Sequence, residues 1–219
     1  MKRAWWDFGK DKIIVFCEGE HPNRGIFEQP QDTGNREGED DLVVIRGKNR
    51  RWGYKHCKDK EGAWIIKPKF YEAYPFYDGL AKVGELSYGP VLTKYGYINK
   101  KGEYVIEPKF TKADIFSEGI ACVGDGHSEF CIDKSGRHLF NVRIGIIGRF
   151  HCGLAIMKEY TCTGRHLWGY LDTKGEWVIE PIFDNVTDFR KDGGFAEGSA
   201  SVEINGKLGF LIIKTKIRR

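Results

Sequence analysis

The stretch YGYINKKGEYVIEPKFTKADIFSEGIACVG, residues 95–124, is followed by WGYLDTKGEWVIEPIFDNVTDF, residues 168–189. Glycines, prolines and aromatics stay in step between the two, which marks an internal repeat. Gly62 to Pro68, Gly102 to Pro108 and Gly175 to Pro181 are each six residues apart. Two residues beyond each proline stands Phe70, Phe110 or Phe183, and six further on Phe76, Phe116 or Phe189. Gly79 and Gly119 then precede LAKV and IACV. A degenerate copy, FCIDKSGRHLFNVRIGIIGRFHCGLAIM, keeps Gly136, Phe150 and Gly153 but has Val142 at the proline position.

Each unit reads as a short β-meander. YGYIN is a strand, KKG a tight turn that uses glycine at positive φ, and EYVIEP the returning strand. On that return, Trp64, Tyr104 and Trp177 share a face with Ile66, Ile106 and Ile179, while Glu103 and Glu107, or Glu176 and Glu180, take the opposite face, so one face is buried. Proline is expected to stop the strand, since it cannot donate to a ladder. An irregular loop pinned by two phenylalanines follows, and a glycine turns the chain into a third strand.

These residues resemble WG repeats, the bacterial β-rich repeat family named for its Trp-Gly pair. The match is carried by Trp52–Gly53–Tyr54, Tyr95–Gly96–Tyr97, Trp168–Gly169–Tyr170 and NGKLGF at 205–210, with the Gly/Pro/Phe frame in support. The third copy departs from it, with Glu129–Phe130 for Trp-Gly. The resemblance implies a binding or scaffolding module and brings no catalytic residue set. The expected fold is all-β: tandem three-stranded β-meander repeats in an open twisted array, with a propeller-like closed ring as the alternative. Residues 1–41 read as an N-terminal cap with an acidic loop, and 42–219 as the array. Its units lie near 51–83, 94–124, 128–157 and 167–203, with a partial unit at 207–219. The last is a first strand without its partners.

Composition fits a folded chain: 41% hydrophobic, 14% aromatic and 28 glycines favour strands and tight turns. The net charge of +4 is too small to imply nucleic acid, but it is uneven. Glu18–Asp41 carries eight acidic and two basic residues, a balance of −6, which leaves +10 on the remainder. None of the six cysteines forms a CxxC pair, the start MKRAWWDFGKDK lacks an apolar signal core, and no run reaches membrane-spanning length. The expectation is a cytoplasmic protein with reduced thiols, no cofactor and no membrane association.

Candidate chemistry is sparse. Glu103/Glu107 and Glu176/Glu180 recur, and recurrence favours a solvated strand face over an acid–base pair. His56–Cys57, His151–Cys152 and Cys162/His166 fit no zinc spacing, and neighbours on a strand face opposite ways. Basic residues cluster over Arg46, Lys48, Arg50, Arg51, Lys55, Lys58 and Lys60 with Trp52 and Tyr54 interleaved, the composition of a nucleic-acid surface. Trp52 is expected to be the core tryptophan, so a solvated edge is preferred there. Departures from the repeat, notably RKDGGF at 190–195, are the natural binding loops. The function expected is therefore non-enzymatic protein–protein interaction, as in an immunity or inhibitor protein that plugs a toxin encoded nearby. Its contacts are assigned to Glu37, Glu39, Asp40, Asp41, Arg190, Lys191, Asp192 and Phe195. Nucleic-acid binding through Arg46, Lys48, Arg50 and Arg51 is the alternative.

Overall fold

A computed structural model of the chain describes residues 5–7, 12–18, 41–59, 61–87, 93–142, 145–160, 164–187 and 198–215. Among them every regular element is a strand, and the sheets are small and antiparallel, none closed into a barrel. This is consistent with the open arrangement expected. The chain divides into two compact units, Met1–Gln29 with Arg143–Arg219, and Pro30–Val142.

Strands β1 (Trp5–Asp7) and β2 (Lys12–Glu18) belong to the first of these units. The second holds three sheets in succession. They are β3 (Leu42–Arg46), β4 (Trp52–His56) and β5 (Ile66–Phe70); β6 (Glu72–Tyr77), β7 (Leu80–Leu86), β8 (Thr93–Ile98) and β9 (Tyr104–Phe110); and β10 (Lys112–Ala113), β11 (Ile120–Gly124), β12 (Glu129–Asp133) and β13 (His138–Val142). The first unit continues with β14 (Gly145–Ile147), β15 (Leu154–Tyr160), β16 (His166–Asp172) and β17 (Trp177–Phe183) as one sheet. Its other sheet joins β18 (Asn185–Val186), β19 (Ser199–Ile204) and β20 (Lys207–Thr215) to β2 and β1.

The sheets are out of phase with the sequence units. The loop after each Phe supplies a short edge strand, so β6 to β9 takes two strands from one copy and two from the next. The β6–β9, β10–β13 and β14–β17 sheets thus hold four strands each, and β3–β5 holds the expected three. Nor is the last strand left without partners: β2 lies antiparallel along β20, from Lys12 opposite Thr215 to Glu18 opposite Gly209.

The prolines do not end their strands. Pro68, Pro108 and Pro181 lie inside β5, β9 and β17, which run on to the phenylalanine. Between Tyr95–Phe110 and Tyr97–Ile106, β8 advances two residues while β9 advances four, so the excess in β9 is a bulge. Proline is tolerated there because a bulge frees its position from the ladder. Gly96 faces that bulge: a Cβ on it would sit 2.5 Å from the Ile106 carbonyl and 2.7 Å from Pro108 N. Gly53 meets Ile66 and Pro68 in the same way, and Gly169 meets the Ile179 carbonyl. The glycine and the proline six residues past the turn are thus two halves of one steric arrangement.

The third copy confirms the pairing by lacking both halves. Glu129, Phe130 and Cys131 oppose Val142, Asn141 and Phe140 one for one. With no bulge there to admit, Phe130 can replace glycine and Val142 proline.

Cores form between successive sheets. In one, Tyr54, Ile66, Phe70 and Phe76 pack with Ala81, Val83 and Ile98; in the next, Tyr97, Ile106, Phe110 and Phe116 pack with Ala121, Val123 and Ile132. The matching cluster of the other unit holds Tyr170, Ile179, Phe183, Val202 and Leu211. The hairpin glycine rests on the sheet before it, Gly102 against Ile66 and Gly136 against Ile106. Two-residue turns at Asp78–Gly79, Glu118–Gly119 and Asn205–Gly206 have positive φ at both positions, the geometry whose twist suits a hairpin.

Candidate binding surface

The repeated aromatics decide what is left over for binding. Tyr54, Tyr97 and Tyr170 are fully buried, whereas Trp52 and Trp168 are only half-buried. The tyrosine, and not the tryptophan, is the core residue of the motif. Each phenol donates to a backbone carbonyl of the following loop: Tyr54 to Tyr74 at 2.8 Å, Tyr97 to Asp114 at 2.6 Å, Tyr170 to Thr187 at 2.9 Å. Burial drives the Tyr54 and Tyr97 phenols well above the ordinary tyrosine range. They are structural latches with no acid–base part near neutral pH.

In the third copy Cys131 stands where the tyrosine would be, fully buried, and it is disulfide-bonded to Cys122 directly across the β11–β12 pair. The expectation of reduced thiols fails at this pair. Sequence alone could have raised it only through the coincidence that a cysteine occupies the latch position. Neither Cys57 nor Cys152 is in a disulfide.

The recurrent carboxylates face outward: Glu103, Glu107, Glu176 and Glu180 are all exposed. Glu103 accepts from the Asn99 amide at 2.8 Å and so braces its own hairpin. Asn99, Asp133 and Asp172 each cap that turn, accepting from the backbone N–H two and four residues on. Hydrogen bonding, first from the Ser135 hydroxyl, holds the Asp133 carboxyl at about 2. His56 plays the same part in the first copy, its Nδ1 accepting from Lys58 N at 3.3 Å. His151 and Cys152 lie at another turn, Cys152 at a φ of 56°. Among the described residues no cluster of His, Cys, Asp and Glu could hold a metal.

Of the residues assigned to partner contact, Glu37, Glu39, Asp40, Arg190, Lys191, Asp192 and Phe195 lie outside the described residues. Asp41 is exposed, and its carbonyl accepts from Cys57 N at 2.7 Å. The basic set is brought together by the β3–β4 hairpin. Arg46 and Trp52 are cross-strand partners, with the guanidinium 5.8 Å from the ring. Arg51 lies 5.7 Å from the Tyr71 ring, and Lys55 Nζ 4.8 Å from Trp64. Asn49 fixes the turn, its Oδ1 accepting from Arg51 N and its Nδ2 donating to the Pro68 carbonyl. Lys48 and Arg50 are exposed on the turn itself.

The family model for the WG containing repeat matches residues 57–85, 95–125 and 168–207. These three stretches are WG repeats. The matched stretches hold all three prolines, two of the three buried tyrosines and two of the three bulge-facing glycines. In the WG repeats of this chain the glycine of the pair answers to the bulge, and the residue after it fills the core. No curated protein matches the chain. Among solved structures, one match is an X-ray structure provisionally named a gluconolactonase, 13% identical, at a TM-score of 0.35, covering 80% of this chain and 71% of that one. A likeness of that size carries no argument about this protein.

Proposed function

We propose that this protein is a non-enzymatic module that binds another protein, in the manner of an immunity or inhibitor protein bound to a toxin or enzyme. One observation carries the reading: the residues that recur are consumed in packing. Tyrosines latch loops, glycines admit bulges, and Asx side chains cap turns. The outward carboxylates are exposed, and Glu103 braces its own hairpin. Repeat proteins bind through the faces that vary between copies. The acidic residues Glu37, Glu39, Asp40 and Asp41 and the insertion at 190–195 remain the proposed contacts, with partner selection through complementary charge.

Co-expression with the products of the flanking genes tests the reading. A complex that co-elutes on size exclusion and weakens when Glu37, Glu39, Asp40 and Asp41 are changed to amides is the expected result. A chain that binds none of those products overturns it.

A further inference from the structure

Among the described residues, ion pairs tie exposed cations to carboxylates at Lys112–Glu129, Lys134–Asp78, Arg137–Asp133 and Arg165–Asp184. None lies in the first sheet. There Arg46, Lys48, Arg50, Arg51 and Lys58 have no carboxylate partner among the described residues, although all five lie within one hairpin and its following turn. Arg46, Arg51 and Lys55 are instead paired with the rings of Trp52, Tyr71 and Trp64. Tyr71 is 42% exposed, and its backbone is fixed by Tyr71 N donating to the Gly84 carbonyl at 3.1 Å. Trp52, expected to be sealed in the core, is half-buried because Tyr54 holds the core position.

We propose that this surface, the β3–β4 hairpin with Tyr71, binds single-stranded nucleic acid. A guanidinium near a ring face stays charged and keeps N–H donors available to phosphate oxygens. An exposed aromatic offers a face on which any base can stack, which suits strand binding without sequence preference. The platform is already ordered, since Asn49 locks the turn at both ends of its amide and so reduces the entropy lost on binding. An acidic protein would also be drawn to the charge but has no need of the rings, so the rings favour nucleic acid. This activity is independent of the partner-protein reading and uses different residues.

The test is fluorescence anisotropy of a short labelled oligothymidylate with the full chain, between about 50 and 200 mM salt. Affinity should fall log-linearly with salt. R46Q/R51Q should weaken binding and flatten the slope by about 0.7 for each phosphate no longer neutralised. Y71L, which keeps the apolar bulk and removes the π face, should weaken binding on the order of tenfold at an unchanged slope. K101Q/K174Q makes the same charge change elsewhere and should bind like the unaltered protein. Thermal melts confirm that each variant is folded. Absence of binding at the low-salt end, equal weakening in K101Q/K174Q, or displacement by polyglutamate as readily as by unlabelled oligothymidylate each overturns the proposal. The last outcome would mark the surface as one for an acidic protein.

Discussion

Gly96→Ala is the sharpest perturbation of the repeat. The new methyl would sit 2.5 Å from the Ile106 carbonyl oxygen and 2.7 Å from Pro108 N. That is roughly 1 Å inside a normal nonbonded separation, and the atoms it meets are backbone, which cannot swing aside. Relief requires β8 and β9 to part or the bulge to flatten, and overpacking of this kind costs about 1–3 kcal/mol. Gly124→Ala is the matched control. It too lies in a strand and is buried, but its added methyl would find nothing closer than 3.4 Å. Replacing glycine there removes unfolded-state freedom and should leave stability unchanged or raise it by up to about 1 kcal/mol. Urea unfolding followed by tryptophan fluorescence reads both variants. In a thermal melt each kcal/mol of destabilisation lowers the midpoint by about 2–4 °C for a chain of this size. Equal destabilisation of the two variants, or none at Gly96, would refute the steric account of the Trp-Gly pair.

Three further outcomes follow from the same packing. Tyr97→Phe strips the donor from the half-buried Asp114 carbonyl and should cost about 1–3 kcal/mol in urea, with Tyr54→Phe and Tyr170→Phe close to it. Reduction of Cys122–Cys131, or Cys122→Ser, should lower stability by about 2–3 kcal/mol, because the bond closes a loop of sequence separation 9. Thiol titration under denaturing conditions, with and without a reductant, should find two masked thiols; all thiols free before reduction would contradict the bond. Amidating Glu103, Glu107, Glu176 and Glu180 together should leave the fold intact, since all four face solvent, as a circular dichroism melt would show.

The repeat length and the all-β class were legible because glycine turns and aromatic spacing recur in register at Gly102, Gly136 and Gly175. The division into sheets was not. A sequence period gives the length of a unit and says nothing of where along it one sheet ends, and the edge strand β6 hides behind Pro75 and a register shift. Proline read as a strand end for a sound reason, its missing donor, yet a bulge removes the need for that donor. Tryptophan took the core role by size, whereas tyrosine won it because its hydroxyl has a carbonyl to meet in the next loop. The pairing of Cys122 with Cys131 depends on the β11–β12 register, which spacing alone does not fix. The basic hairpin was visible as charge, but its rings became credible as a surface only once Tyr54 was found in the core.

Alkaline titration of the phenols, read by tyrosinate absorbance alongside circular dichroism, shows whether the motif tyrosines are sealed in the core. Burial raises the folded-state value of Tyr54 and Tyr97 above the ordinary 10.0, so the native state holds its protons where the unfolded chain releases them. Their contribution to stability is complete below pH 10 and is lost as pH climbs above it. At least three of the ten tyrosines should stay silent until the sheets unfold, and then ionise together with the loss of structure. Ten phenols ionising smoothly near their ordinary value, with the strands still intact, would contradict that burial.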